Sequence, residues 1–149
     1  MRASLASLIL AFSLAAQAAD ELPRPPERKD AVIERYDAAS ARGDWPAAAA
    51  LLREAVAQQP GNARYHSLYA YSLRKGPSPD MDLVFQHYNE ALKIDPELRG
   101  AHEYIGEAYL MVGNVAKAKE HLGVLDRLCF LPCAEYTDLK KAISVHEKK

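Results

Sequence analysis

The chain has 149 residues, of which 49% are hydrophobic and 26% charged, with a formal net charge of -1. That length supports one domain with one continuous core, and the near-neutral charge lacks the basic field that neutralises a phosphate backbone, which argues against nucleic-acid binding. Ala supplies 26 residues whereas Val, Ile and Thr together supply 13, a balance that favours close-packed helices and argues against an all-β or doubly wound fold.

The N-terminal stretch MRASLASLILAFSLAAQAAD sets Arg2 before an apolar run from Leu5 to Leu14 that ends in small residues. This is the layout of a secretory signal peptide over residues 1–18, and Ala16 with Ala18 supplies the small-x-small pattern for cleavage after Ala18, Ala19 being the next site. The run is shorter than the roughly 18 residues of a membrane span, so no stable membrane insertion is expected. Export across an inner membrane into a periplasm is the implied localisation. Residues 19–28 then form a linker in which Pro23, Pro25 and Pro26 remove backbone donors and bias the chain toward extended conformations.

Helical periodicity resumes in seven segments, at roughly Arg28–Ala41, Trp45–Gln58, Ala63–Lys75, Asp80–Ile94, Pro96–Val112, Val115–Leu128 and Cys133–His146. Asp44, Asp95 before Pro96, and Asn114 stand where an unpaired helix N-terminus needs an acceptor. Pro60, Pro96 and Pro132 recur at intervals of 36, a period that points to an internal repeat. From Arg99 the third copy reads His102, Ile105, Gly106, Tyr109, Ala118 and Leu122, with Gly113 and Asn114 at its turn. The second, from Ala63, reads His66, Tyr69, Ala70, Leu73, Tyr88, Ala91 and Pro96, with a turn KGPSPDMD about two residues longer. The first keeps Gly43, Asp44, Ala48, Leu52, Ala55 and Pro60 but carries Tyr36 at the small position.

This grammar resembles the tetratricopeptide repeat. The resemblance implies an all-α solenoid of three helix-turn-helix repeats (29–62, 63–98 and 99–132), closed by a capping helix and basic tail over 133–149 in which Tyr136, Leu139 and Ile143 fall at helical spacing. It further implies a concave groove lined by the first helix of each repeat, whose outward positions are Asp37 and Ser40, then Arg64, Ser67, Tyr71 and Arg74, then Glu103, Glu107 and Leu110. Such a groove would be basic in the middle and acidic at one end, with Tyr71 as an anchor for a protein or peptide ligand. The Lys and Asn combination with which some family members clamp a C-terminal carboxylate is missing.

No motif for nucleophilic catalysis, phosphate cradling or metalloprotease zinc occurs in the sequence, so a non-enzymatic chain without a cofactor is expected. His66 and His102 share one repeat position, and His87 and His121 another. Stacked on neighbouring repeats, the members of each pair would stand 8 to 10 Å apart, too far to share an ion, so the first pair reads as packing and the second as partly exposed surface. Cys129 and Cys133 are the only cysteines. In an exported chain they read as a structural disulfide worth about 2 kcal/mol, which would fix the angle of the capping helix. Thiol or copper chemistry at this CxxxC pair is the sharper alternative, and two buried free thiols a third. The resulting expectation is an exported adaptor or assembly factor, with a copper- or thiol-handling maturation factor as the alternative and self-association through the repeat ends as a further possibility.

Overall fold

The computed structural model describes residues 30–148, and the stretches expected to be a signal peptide and a linker lie outside the described residues. Seven helices occur there: α1 (Ala31–Ala41), α2 (Trp45–Gln58), α3 (Ala63–Lys75), α4 (Met81–Ile94), α5 (Arg99–Met111), α6 (Val115–Leu128) and α7 (Ala134–His146). Most start on a side-chain acceptor. Asp30 accepts from the backbone N–H groups of Val32 and Ile33, Asp44 from Ala47, Asn62 from Tyr65, Asp80 from Asp82 and Leu83, and Asn114 from Lys117. Each acceptor satisfies donors left over where a helix begins.

The fifth helix departs from expectation. It begins at Arg99 rather than Pro96, and its cap, Leu98, makes no side-chain cap bond. The Asp95 carboxylate accepts from Glu97 N–H at 3.0 Å, and Leu98 N–H reaches back to the Asp95 carbonyl, so Pro96 and Glu97 are consumed in a turn. The carbonyl of Pro96 is also taken, by the ring of His102.

Two turns require the left-handed backbone that glycine adopts without a Cβ penalty. Gly43 has φ +69° and Gly113 has φ +76°, and each is followed by the cap residue of the next helix, Asp44 and Asn114. Three buried clusters run along the stack. The first joins Ile33, Tyr36, Leu52, Tyr65 and Tyr69; the second joins Ala70, Val84, Tyr88, Ile105 and Ala108; the third joins Leu110, Ala118, Leu125, Leu139 and Ile143. Each draws on three consecutive helices, so neighbouring hairpins share a core and none buries its apolar face alone. Tyr36, at the position where the family has a small residue, fills space in the first cluster.

Two helices approach each other closely at Gly106. A Cβ there would stand 2.6 Å from Leu139 Cδ2, so α7 seats its fully buried leucine against the bare backbone of α5. Cys129 and Cys133 are joined by a disulfide with their Cα atoms 5.8 Å apart, between the end of α6 and the start of α7. The loop they close carries Phe130 and Leu131 into solvent.

Candidate binding groove

The helices α3, α5 and α7 enclose a cleft of about 690 Å³. Arg74 and Lys75 enter it from α3, Glu103, Glu107, Leu110 and Met111 from α5, and Asp138, Lys141, Ala142, Val145 and His146 from α7. Arg74 is the buried cation of this cleft, its side chain 7% exposed, and it donates from Nη2 to Glu107 Oε2 at 2.6 Å. This ion pair ties α3 to α5. Tyr88 is fully buried beside it, with its hydroxyl turned to the Arg74 guanidinium.

Glu103 is the carboxylate most disturbed by its surroundings. Burial, then repulsion from Glu107, Asp138 and Glu135, pushes its pKa up to about 7, with Arg74 opposing. A proton or an incoming cation relieves that repulsion, so this end of the cleft is suited to a positively charged group.

An aromatic track leads away from the cleft across the repeats. Trp45 meets Tyr71 edge-on with centroids 5.6 Å apart, and Tyr71 meets Tyr104 at 4.5 Å. The Lys75 ammonium lies 5.7 Å from the Trp45 ring centre and 6.0 Å from that of Tyr71, while the Arg74 guanidinium stands over Tyr71 at 5.1 Å. Burial raises the hydroxyl pKa of Tyr71, and that of Tyr104 to about 12, so both stay protonated donors at neutral pH.

The groove residues expected from the repeat pattern divide into several groups. Arg74, Glu103, Glu107 and Leu110 come together in the cleft, and Tyr71 lies in the aromatic track. Arg64 is exposed but faces a second depression, of about 580 Å³, shared with Gln59, Asn62, Ile94, Asp95 and Leu98. Asp37 is exposed and Ser40 half-buried, its hydroxyl donating to the Asp37 carbonyl. Ser67 and Leu110, expected to face outward, are buried, as is Arg74. The basic middle of the groove is corrected accordingly: Arg74 is neutralised by Glu107, and the exposed positive charge falls to Arg64 and Lys75. Pattern reading missed Trp45, Tyr104 and the wall supplied by α7. In the sequence Trp45 marks only a helix start, and a capping helix has no repeat position that assigns it a groove face.

The histidines also pair differently from expectation. Within the second repeat, His66 Nδ1 lies 2.9 Å from His87 Nδ1; within the third, His102 Nδ1 lies 2.9 Å from His121 Nδ1. His66 and His102 are buried, as a packing role requires, and their partners are half-buried. The partners belong to the two helices of one hairpin, which cross there closely enough for the rings to meet.

Stacked helical hairpins with a lined concave face define a solenoid of the interaction-module type. No protein-family model matches the chain. It is 29% identical over 129 residues to a TPR repeat-containing thioredoxin of Arabidopsis thaliana, covering 87% of this chain and 17% of that protein. With an inactive TPR repeat-containing thioredoxin of the same plant it shares 31% identity over 105 residues, covering 67% of this chain and 14% of the relative. The chain thus spans less than a fifth of the length of these relatives. Among solved structures it superposes on the TPR2B domain of yeast Sti1, in that domain's complex with an Hsp70 peptide, with a TM-score of 0.69 and 19% identity, over 78% of this chain and 94% of that one. The chain belongs to the tetratricopeptide-repeat family.

Proposed function

We propose that this protein is an exported adaptor or assembly factor that holds a protein or peptide segment against its concave face. The supporting observation is the cleft between α3, α5 and α7, which combines half-buried carboxylates, the apolar side chains of Leu110, Met111 and Val145, and an aromatic track beside it. Such a mixture suits a segment carrying both a basic group and apolar anchors. The Sti1 domain, in its complex with an Hsp70 peptide, is an instance of peptide binding on the same fold.

Export rests on the N-terminal pattern, and a periplasmic location is the reading it favours. Sequencing the N-terminus of protein recovered from the cell envelope tests this, with Ala19 expected as the first residue. For the groove, a photo-crosslinking amino acid is placed at Glu103 in one variant and at the exposed Arg53 of α2 in another, and crosslinked peptides are sequenced. A discrete partner segment from position 103 alone is expected. Equal capture from both positions counts against the concave face. Cys129 and Cys133 are bonded to each other at the root of α7, an arrangement that supports a bracing role for the pair at the capping helix.

A further inference from the structure

The two histidine pairs repeat one bonding scheme. In each, the buried ring places Nε2 2.9 Å from a carbonyl, Pro60 for His66 and Pro96 for His102, and Nδ1 2.9 Å from the partner's Nδ1. A carbonyl only accepts, so Nε2 of His66 and His102 must carry the hydrogen. Their Nδ1 atoms in the neutral rings are then bare acceptors. His87 and His121 must therefore donate from Nδ1, which leaves Nε2 as their bare nitrogen. The bonding fixes the tautomer of all four rings.

We propose that these pairs are proton-operated latches between the two helices of the second and third repeats, closed at neutral pH and released in acid. The proton balance follows from the tautomers. A first proton can enter at Nε2 of His87 or His121 and leave the ring-to-ring bond intact. A second, on Nδ1 of His66 or His102, sets two N–H groups against each other at 2.9 Å, and the bond must break.

Surrounding groups resist even the first proton. Burial and then His102 push the pKa of His121 down to about 4, with Glu120 raising it and Lys117 lowering it. Burial and then His66 lower that of His87, opposed by Glu90. Aromatic rings of the facing helices close in as well, Tyr69 on His87 with centroids 4.6 Å apart and Tyr109 on His121 at 5.7 Å. An unfolded histidine binds its proton near pH 6.5. Below that pH the unfolded chain binds more protons than the native one, so stability falls as pH falls from about 6.5 toward 4.

The first repeat provides an internal control. Its corresponding positions are Val32 and Leu51, which pack as hydrophobics and cannot titrate. A two-ligand metal chelate is the competing reading of the same geometry. Structural zinc sites use four protein ligands and catalytic ones three, and no group of three or more His, Cys, Asp or Glu able to hold a metal occurs among the described residues.

The test begins with two-bond ¹H–¹⁵N spectra of the full chain at pH 7.5. His66 and His102 are expected as Nε2–H tautomers and His87 and His121 as Nδ1–H tautomers; four Nε2–H rings would overturn the proposal. As pH falls below 6.5 the folding constant should fall ever more steeply, toward a limit of about 100-fold per pH unit where two histidines are protonated only in the unfolded chain. In the double variant His87→Gln, His121→Gln that dependence should shrink, and the difference from wild type separates the histidines from Glu103, whose linkage has the opposite sign. An unchanged slope overturns the latch. Hydrogen exchange, corrected for intrinsic rates, should quicken at pH 5 in α3 to α6 more than in α1 and α2. Stoichiometric Zn(II) uptake that broadens the paired rings would show a chelate instead.

Discussion

Replacing Gly106 with Ala tests how α7 is seated. The added Cβ would meet Leu139 Cδ2 at 2.6 Å and Cδ1 at 2.7 Å, against the roughly 3.5–4.0 Å of a favourable carbon contact. Leu139 must retreat by about 1 Å, yet it is fully buried among Leu110, Ala118, Leu125 and Ile143. Overpacking of this kind costs about 1–3 kcal/mol, and replacing a helix-interior glycine with alanine returns up to about 1 kcal/mol, leaving a net loss near 1 kcal/mol. Gly123→Ala is the matched control. The nearest neighbour of its Cβ is Arg127 Nη1 at 3.9 Å, so it should gain up to about 1 kcal/mol. The two variants should therefore differ by about 2 kcal/mol in urea unfolding followed by far-UV circular dichroism. A double-mutant cycle sharpens the test: Leu139→Ala should cost at least about 1 kcal/mol less in the Gly106→Ala background than alone. Gly106→Ala matching the gain of Gly123→Ala, with no coupling to Leu139, would refute the contact.

Arg74→Met leaves Glu107 facing Glu103 without its cation and should lower stability by about 2–3 kcal/mol, read by thermal unfolding; a loss below about 0.5 kcal/mol would show that the ion pair does not hold α3 to α5. The Glu103 carboxyl should titrate near pH 7 in ¹³C spectra, and lower in Asp138→Asn, which removes one of its repelling neighbours. Because that pKa is raised in the native state, the native chain binds the extra proton, and stability falls as pH rises from about 4.5 through 7; Glu103→Gln should accordingly stabilise more at pH 8 than at pH 4. Cys129→Ser with Cys133→Ser should cost about 2 kcal/mol by the loop-entropy estimate and speed hydrogen exchange in α7 ahead of α1; no change in α7 would mean that the bridge does not brace the cap.

The helices were legible because their determinants are local. Asp44, Asn114, Gly43 and Gly113 act on backbone within a few residues, and their observed caps and φ values follow from side chains adjacent in sequence. The start of α5 departs from the pattern for a reason only slightly less local: the Asp95 carboxylate accepts from Glu97 N–H and closes a turn ahead of the helix. The groove was harder. Its candidates were chosen by position on one helix, and that position does not say which neighbouring helix closes over it. Ser67 and Arg74 became buried between elements, whereas Trp45 and Tyr104, from different hairpins, each met Tyr71.

By itself the sequence determined the helical class, the number and phase of the hairpins, and the need for small residues where they meet, since periodicity, caps and turn glycines all act within one or two turns of chain. It also placed Gly106 among the recurring positions of the third copy and the histidines at a repeated pair of positions. Only the tertiary structure decided that Leu139 is what Gly106 admits, that His66 faces His87 rather than His102, and that α7 walls the cleft beside Glu103. Those outcomes depend on the angle and offset at which helices cross, and packing many side chains at once sets that geometry, so no single stretch of sequence encodes it.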